Sequence, residues 1–125
     1  MTARIFITFI FALMSMAVNA QSNYSVYKGQ IDKYNITMYL SRENYEWQGY
    51  YVYDDRPNKK FTLKCVSDEP DPRGYNNVVL KEYSPKGNNT GTFKGKIEGR
   101  GDGFYGTFTN SQGQSMRFEL LQQYE

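Results

Sequence analysis

The stretch "YKGQI" (Tyr27 to Ile31) returns near the other end of the chain as "FKGKI" (Phe93 to Ile97). "WQGYY" from Trp47 and "FYGTF" from Phe104 repeat the same arrangement, a glycine two positions from a bulky residue on each side. In a strand, alternate residues share a face, so Gly29, Gly49, Gly95 and Gly106 each fall between large groups on the apolar side. Glycine weakens a strand through its backbone entropy, so it needs a structural return there. The options are tight curvature, close backbone approach, or room for a neighbouring ring. Four such segments predict a strongly coiled sheet rather than a flat layer.

Alternating runs separated by turn-forming clusters fill the rest of the chain, and no segment after the N-terminal stretch shows a convincing 3.6-residue period. Strands are expected over 24–31, 36–41, 45–54, 60–66, 77–83, 91–98, 103–109 and 115–122. Their apolar faces carry Tyr27 and Ile31; Ile36, Met38 and Leu40; Trp47, Tyr51 and Tyr53; Phe61, Leu63 and Cys65. The series continues with Val78 and Leu80; Phe93 and Ile97; Phe104 and Phe108; Met116, Phe118 and Leu120. Short connections favour sequential antiparallel pairing. The expected fold class is all-β, an antiparallel meander of about eight strands forming a small closed or nearly closed, calycin-like barrel. The longest loop is expected over Ser67 to Tyr75, which holds Pro70, Pro72 and Gly74.

Two hairpins fix a register. A two-residue turn at Arg100 and Gly101 sets Ile97 opposite Phe104, Gly95 opposite Gly106 and Phe93 opposite Phe108. A three-residue loop "SQG" with Gly113 left-handed sets Phe118 opposite Gly106, covering bare backbone with a ring. Cys65 is expected on the inward face opposite Gly49, as a small apolar group.

The N-terminus is of a different kind: Arg4, the apolar run from Ile5 to Val18, then "NA" before Gln21. The run is short for a bilayer span, and Val18 and Ala20 suit a signal peptidase, so residues 1–20 read as a cleaved secretory signal. A single barrel domain over residues 21–125 follows, with no transmembrane segment left after cleavage. Removing Arg4 leaves fourteen Lys and Arg against thirteen Asp and Glu. With acids and bases interspersed along the chain and no basic stripe visible, this near-neutrality gives no reason to expect a nucleic-acid partner.

Histidine is absent and Cys65 is the sole cysteine. His-based triads, Cys-His nucleophiles and the usual zinc and copper sites are thereby removed, and no metal or cofactor is expected. Carboxylate pairs remain as a glycosidase route, with Glu46, Asp54, Asp55 and Glu82 as candidates, most of them at positions read as outward or turn. No catalytic residue is assigned. "RGD" at Arg100 to Asp102 reads as a turn. Asn23, Asn35 and Asn88 match the glycosylation pattern, which matters only in a eukaryotic source.

The order "YKGQIDKYNITMYL", "WQGYYVYDD", "TGTFKGKIEG", "GFYGTFTN" and "MRFEL" resembles a group of small exported bacterial barrel domains of uncharacterised function. The resemblance spans the mature chain and implies the fold and a periplasmic or secreted location, with no catalytic residue to carry over. Ser67 to Tyr75 departs from that pattern. The leading functional expectation is a non-catalytic, monomeric, inhibitor-like or binding domain meeting a protein partner. The contacts would come from the exterior tyrosines Tyr39, Tyr50 and Tyr105, from the loop with Arg56, and from the loop with Arg73 and Tyr75. The alternatives are a carrier of a small apolar ligand in the barrel mouth and, less favoured, a glycoside hydrolase.

Overall fold

A computed structural model describes residues 24–98 and 102–124. Eight strands follow in chain order: β1 (Ser25–Ile31), β2 (Tyr34–Glu43), β3 (Glu46–Tyr53), β4 (Phe61–Asp71), β5 (Tyr75–Tyr83), β6 (Asn89–Glu98), β7 (Gly103–Asn110) and β8 (Ser115–Gln123). Each pairs antiparallel with the next, and β8 returns to β1 with Val26 opposite Gln123 and Ile31 opposite Phe118. The sheet therefore closes into a barrel, leaving an unpaired stretch where β4 outruns β3. The expected secretory signal and the turn residues Arg100 and Gly101 lie outside the described residues.

The inward face is the one that alternation assigns. Tyr27, Tyr51, Phe93, Phe104 and Phe118 are fully buried together with Ile31, Ile36, Met38, Leu40, Leu63, Val78 and Leu80. Trp47, Tyr53, Phe61, Cys65 and Met116 are half-buried against that core. Rings meet across the interior: Phe93 lies 4.7 Å from Phe108 and 5.1 Å from Phe118, and Phe118 lies 4.8 Å from Phe104. Burying a side chain of this kind is worth roughly 1.5–3 kcal/mol, so filling the interior is the main source of stability.

The glycines let the sheet coil this tightly. Gly95 lies opposite Gly106, Ile97 opposite Phe104, Phe93 opposite Phe108 and Gly106 opposite Phe118, as the two hairpins require. A Cβ on Gly106 would fall inside the shell of the Lys94 carbonyl oxygen, and one on Gly29 would strike the Glu119 carbonyl across the β1–β8 seam. At Gly95 the added carbon would also stand 2.7 Å from Cζ of Phe118, the ring that covers the gap. Curvature, close approach and ring packing therefore act at the same positions.

Turn chemistry agrees with the sequence in part. Asn44 and Tyr45 both take positive φ, 52° and 67°, in the two-residue turn between β2 and β3. Gly113 has φ 82°, and Asn110 N donates to Gln114 O at 2.9 Å, closing the expected three-residue loop.

Two expectations are corrected. The long loop from Ser67 to Tyr75 is not a loop: β4 continues to Asp71 and pairs with β5 through Asp71 opposite Tyr75. A bulge between Cys65 and Ser67 resets the alternation, so polar residues that look loop-like continue the ladder. Pairing of β4 with β3 ends at Lys64 opposite Gln48, so beyond it β4 has a ladder partner on one side only, where Pro70 is tolerated. The connection shrinks to Pro72, Arg73 and Gly74, with Gly74 at φ 96° donating to Asp71 O at 3.0 Å. Second, Leu63 and not Cys65 stands opposite Gly49. Two successive turns, Arg56 N to Tyr53 O and Lys59 N to Arg56 O, lengthen the β3–β4 connection and displace the register by two residues.

Candidate functional site

Alternation sends Tyr39 and Tyr50 to the outer face, and the β2–β3 register sets them directly opposite each other. Their rings stack at 4.7 Å and 22°. Tyr24 meets Tyr50 edge-on at 5.7 Å, and Lys60 Nζ lies 4.8 Å above the Tyr50 ring. All three tyrosines are half-buried. Desolvation raises the Tyr50 phenol, with Tyr39 and Tyr24 adding to the shift, so Tyr50 stays neutral and offers a hydroxyl donor at ordinary pH.

The other sequence-chosen residues do not join this cluster. Tyr105 lies on β7 opposite Lys96 and Glu119, on another part of the wall. Arg56 sits in the β3–β4 connection, 5.2 Å over the Tyr53 ring and 3.5 Å from Asp55. Arg73 and Tyr75 mark the β4–β5 tip at the opposite rim. There Arg73 grips Asp71 through Nε at 3.1 Å and Nη2 at 3.2 Å, while its backbone N donates to the same carboxylate at 2.9 Å. That grip holds the Asp71 carboxyl well below the usual range. Arg73 and Lys96 both stand over the Tyr75 ring, at 5.2 and 4.6 Å.

The carboxylate candidates separate in the same way. Glu46 and Asp55 are exposed, and exposed Asp54 accepts from Thr37 Oγ1 at 2.7 Å. Glu82 is corrected from the outward-or-turn reading: it is in phase with Val78 and Leu80, and is 3% exposed inside the barrel. It accepts hydrogen bonds from the Tyr51 hydroxyl and from Thr90 Oγ1 at 2.5 Å. Burial raises its pKa above the ordinary carboxylate value, although both hydroxyls oppose the shift. Glu82 is the one acid in the core among the described residues, and the groups that contact it are hydroxyls rather than a second carboxylate. Among the same residues no group of His, Cys, Asp or Glu could hold a metal ion.

Two constellations escape a linear reading. Near the rim that bears Tyr75, the bulge brings Asp68 to a side-chain exposure of 6%, with Arg42 Nη2 at 2.9 Å and Asn76 Nδ2 at 2.6 Å. The Arg42 guanidinium also covers the Trp47 ring at 5.5 Å. On the outer wall, Lys64 and Lys81 stand directly opposite each other, with Lys94 and Lys96 on the next strand. The absence of a basic stripe in the linear sequence is thus corrected by register, because the stripe crosses strands. Marking every second residue of β4, β5 and β6 and aligning the strands would have exposed it.

Comparisons of the chain with protein-family models, with curated proteins and with solved structures returned no match. Among the described residues no helix is long and apolar enough to cross a membrane.

Proposed function

We propose that this chain is an exported, non-catalytic binding domain that engages a protein partner through the outer face bearing Tyr24, Tyr39 and Tyr50. The observation that carries the reading is the stacked tyrosine pair with Lys60 above it, held outside a barrel whose interior is filled by its own side chains. Large, rigid rings with polar tips are the residues that anchor protein interfaces at low entropic cost. The rings of Tyr51, Phe93, Phe104 and Phe118 occupy the interior space an apolar ligand would need, which favours surface recognition over carriage. Glu82, surrounded by hydroxyls, offers one carboxylate where glycoside hydrolysis needs two.

The test compares affinity capture from envelope extract by the mature domain and by Tyr39→Ser/Tyr50→Ser, with circular dichroism confirming that the variant folds. A partner retained by the first and lost from the second is expected. Equal retention by both proteins, or no retained protein, would remove the tyrosine face as the binding site.

A further inference from the structure

The second face runs across β4 to β8, starting at Lys64, a diagonal neighbour of Tyr50, and leading away from it. Lys64 stands opposite Lys81, and Lys81 opposite Thr92, which makes Lys94 a diagonal neighbour. Thr107 separates Lys94 from Arg117 across two further strands. These cations follow one another at intervals of roughly 5–10 Å. Like charges placed directly opposite on a sheet are destabilising, so the arrangement costs the fold something. Carboxylates do not relieve it: among the described residues Lys64, Lys81, Lys94 and Lys96 make no ion pair, and Arg117 alone has an acid, Glu119 at 2.7 Å. Lys64 instead lies 5.2 Å over the Tyr83 ring.

Relief shapes the same surface. One shallow depression is bordered by Lys94, Lys96 and Tyr105 with Gly95 and Gly106 in its floor. A second runs on from Tyr105 and Gly106 to Thr107 and Arg117. Sharing Tyr105 and Gly106, they adjoin across β7 in a shallow trough whose lining mixes these cations, Thr107 and the Tyr105 ring with the apolar Val78, Val79 and Met116.

We propose that this trough binds an anionic polysaccharide, a chain of sugar units bearing carboxylate or sulfate groups. Charge complementarity requires a repeating anion. Three features then favour sugar over an acidic protein segment. At this wall β5, β6, β7 and β8 are each paired on both sides, so the trough offers no edge on which an extended peptide could form a ladder. Val79, the one aliphatic side chain pointing outward from β5 and β6 here, is half-buried, so apolar contact for a protein partner is confined to it and the Tyr105 ring. Thr92, Thr107 and the 39%-exposed Tyr105 supply hydroxyls and a ring face suited to pyranose units.

Calorimetric titration with polygalacturonate and with heparin, against neutral dextran, tests the proposal. Both anionic chains should bind, dextran should not, and affinity should fall as salt rises from about 20 to about 200 mM. Lys81→Glu/Lys94→Glu should weaken binding by about tenfold or more, whereas Lys33→Glu, in the β1–β2 turn off this wall, should not. Should the double glutamate variant fail to fold, Lys81→Gln/Lys94→Gln gives the same comparison. Unchanged affinity in the folded wall variant, or no binding of either polysaccharide, overturns the proposal. Polyglutamate or single-stranded DNA bound as tightly as the polysaccharides would also overturn it, reassigning the wall to an acidic protein segment or to nucleic acid. The Tyr39→Ser/Tyr50→Ser variant should keep full polysaccharide affinity, so the two faces fail or succeed separately.

Discussion

Glu82 is where a single residue most affects the energetics. A carboxylate in the core is held by two hydroxyls, and desolvation still wins, raising its pKa above the ordinary value of 4.5. Because the folded form holds its proton more tightly than the unfolded chain does, Glu82 contributes stability that is fully present below the ordinary carboxylate pKa. That contribution is lost as pH rises through the raised, folded value. An amide at this position can accept from Tyr51 through its oxygen and donate to Thr90 Oγ1 through its nitrogen without ever ionising. Glu82→Gln should therefore melt above the wild type at about pH 8, and the gap should close toward about pH 4. Thermal melts across that range with a constant difference between the two proteins would show that Glu82 does not titrate in this way. The position was open to the sequence, since Val78, Leu80 and Glu82 share one strand face. An acid in an apolar series reads naturally as an outward residue, and the Tyr51 and Thr90 hydroxyls that accommodate it come from other strands.

Among the elements, the β7–β8 hairpin isolates what a turn contributes. Gly113 sits at φ 82° with nothing within 4 Å of a Cβ built on it, so Gly113→Ala would meet backbone strain and no clash. The expected loss is about 1 kcal/mol, with Gly113→Asn costing less because Asn enters the left-handed region more readily. Denaturant titration of both variants measures it, and an alanine variant as stable as wild type would mean the loop has another conformation. This hairpin was legible because its loop length, turn residue and flanking alternation all agree. The β4–β5 hairpin was not, for physical reasons. Pro70, Pro72 and three acids in a row of nine look like a loop, and only the bulge after Cys65 together with the missing β3 partner lets them continue a strand. The β3–β4 register failed similarly, since consecutive turns in the connection leave no trace in alternation.

On the scale of the molecule, the chain sorts its charges by geometry rather than by sequence order. The rim that carries the β2–β3 and β4–β5 turns holds Glu43, Glu46, Asp71 and Asp102 with Arg42 and Arg73 among them, while the wall holding Lys64, Lys81, Lys94 and Lys96 gathers bases. A formal net charge of +2 hides this separation, and so does the mixed linear order. Strand faces were legible because a period of two needs only neighbours. The wall and the tyrosine stack were not, because both depend on which residues of different strands come side by side. Closure joins all of these features, and closure rests on missing side chains where strands cross most closely. Gly29 lies on the β1–β8 seam, where an added Cβ would strike the Glu119 carbonyl. The most direct measurement is the melting temperature of Gly29→Ala. Overpacking of this kind costs about 1–3 kcal/mol, so the melting temperature should fall by about 4 °C or more. Alanine for glycine in an unstrained strand would instead leave it unchanged or raise it, and that result would contradict a barrel closed on its glycines.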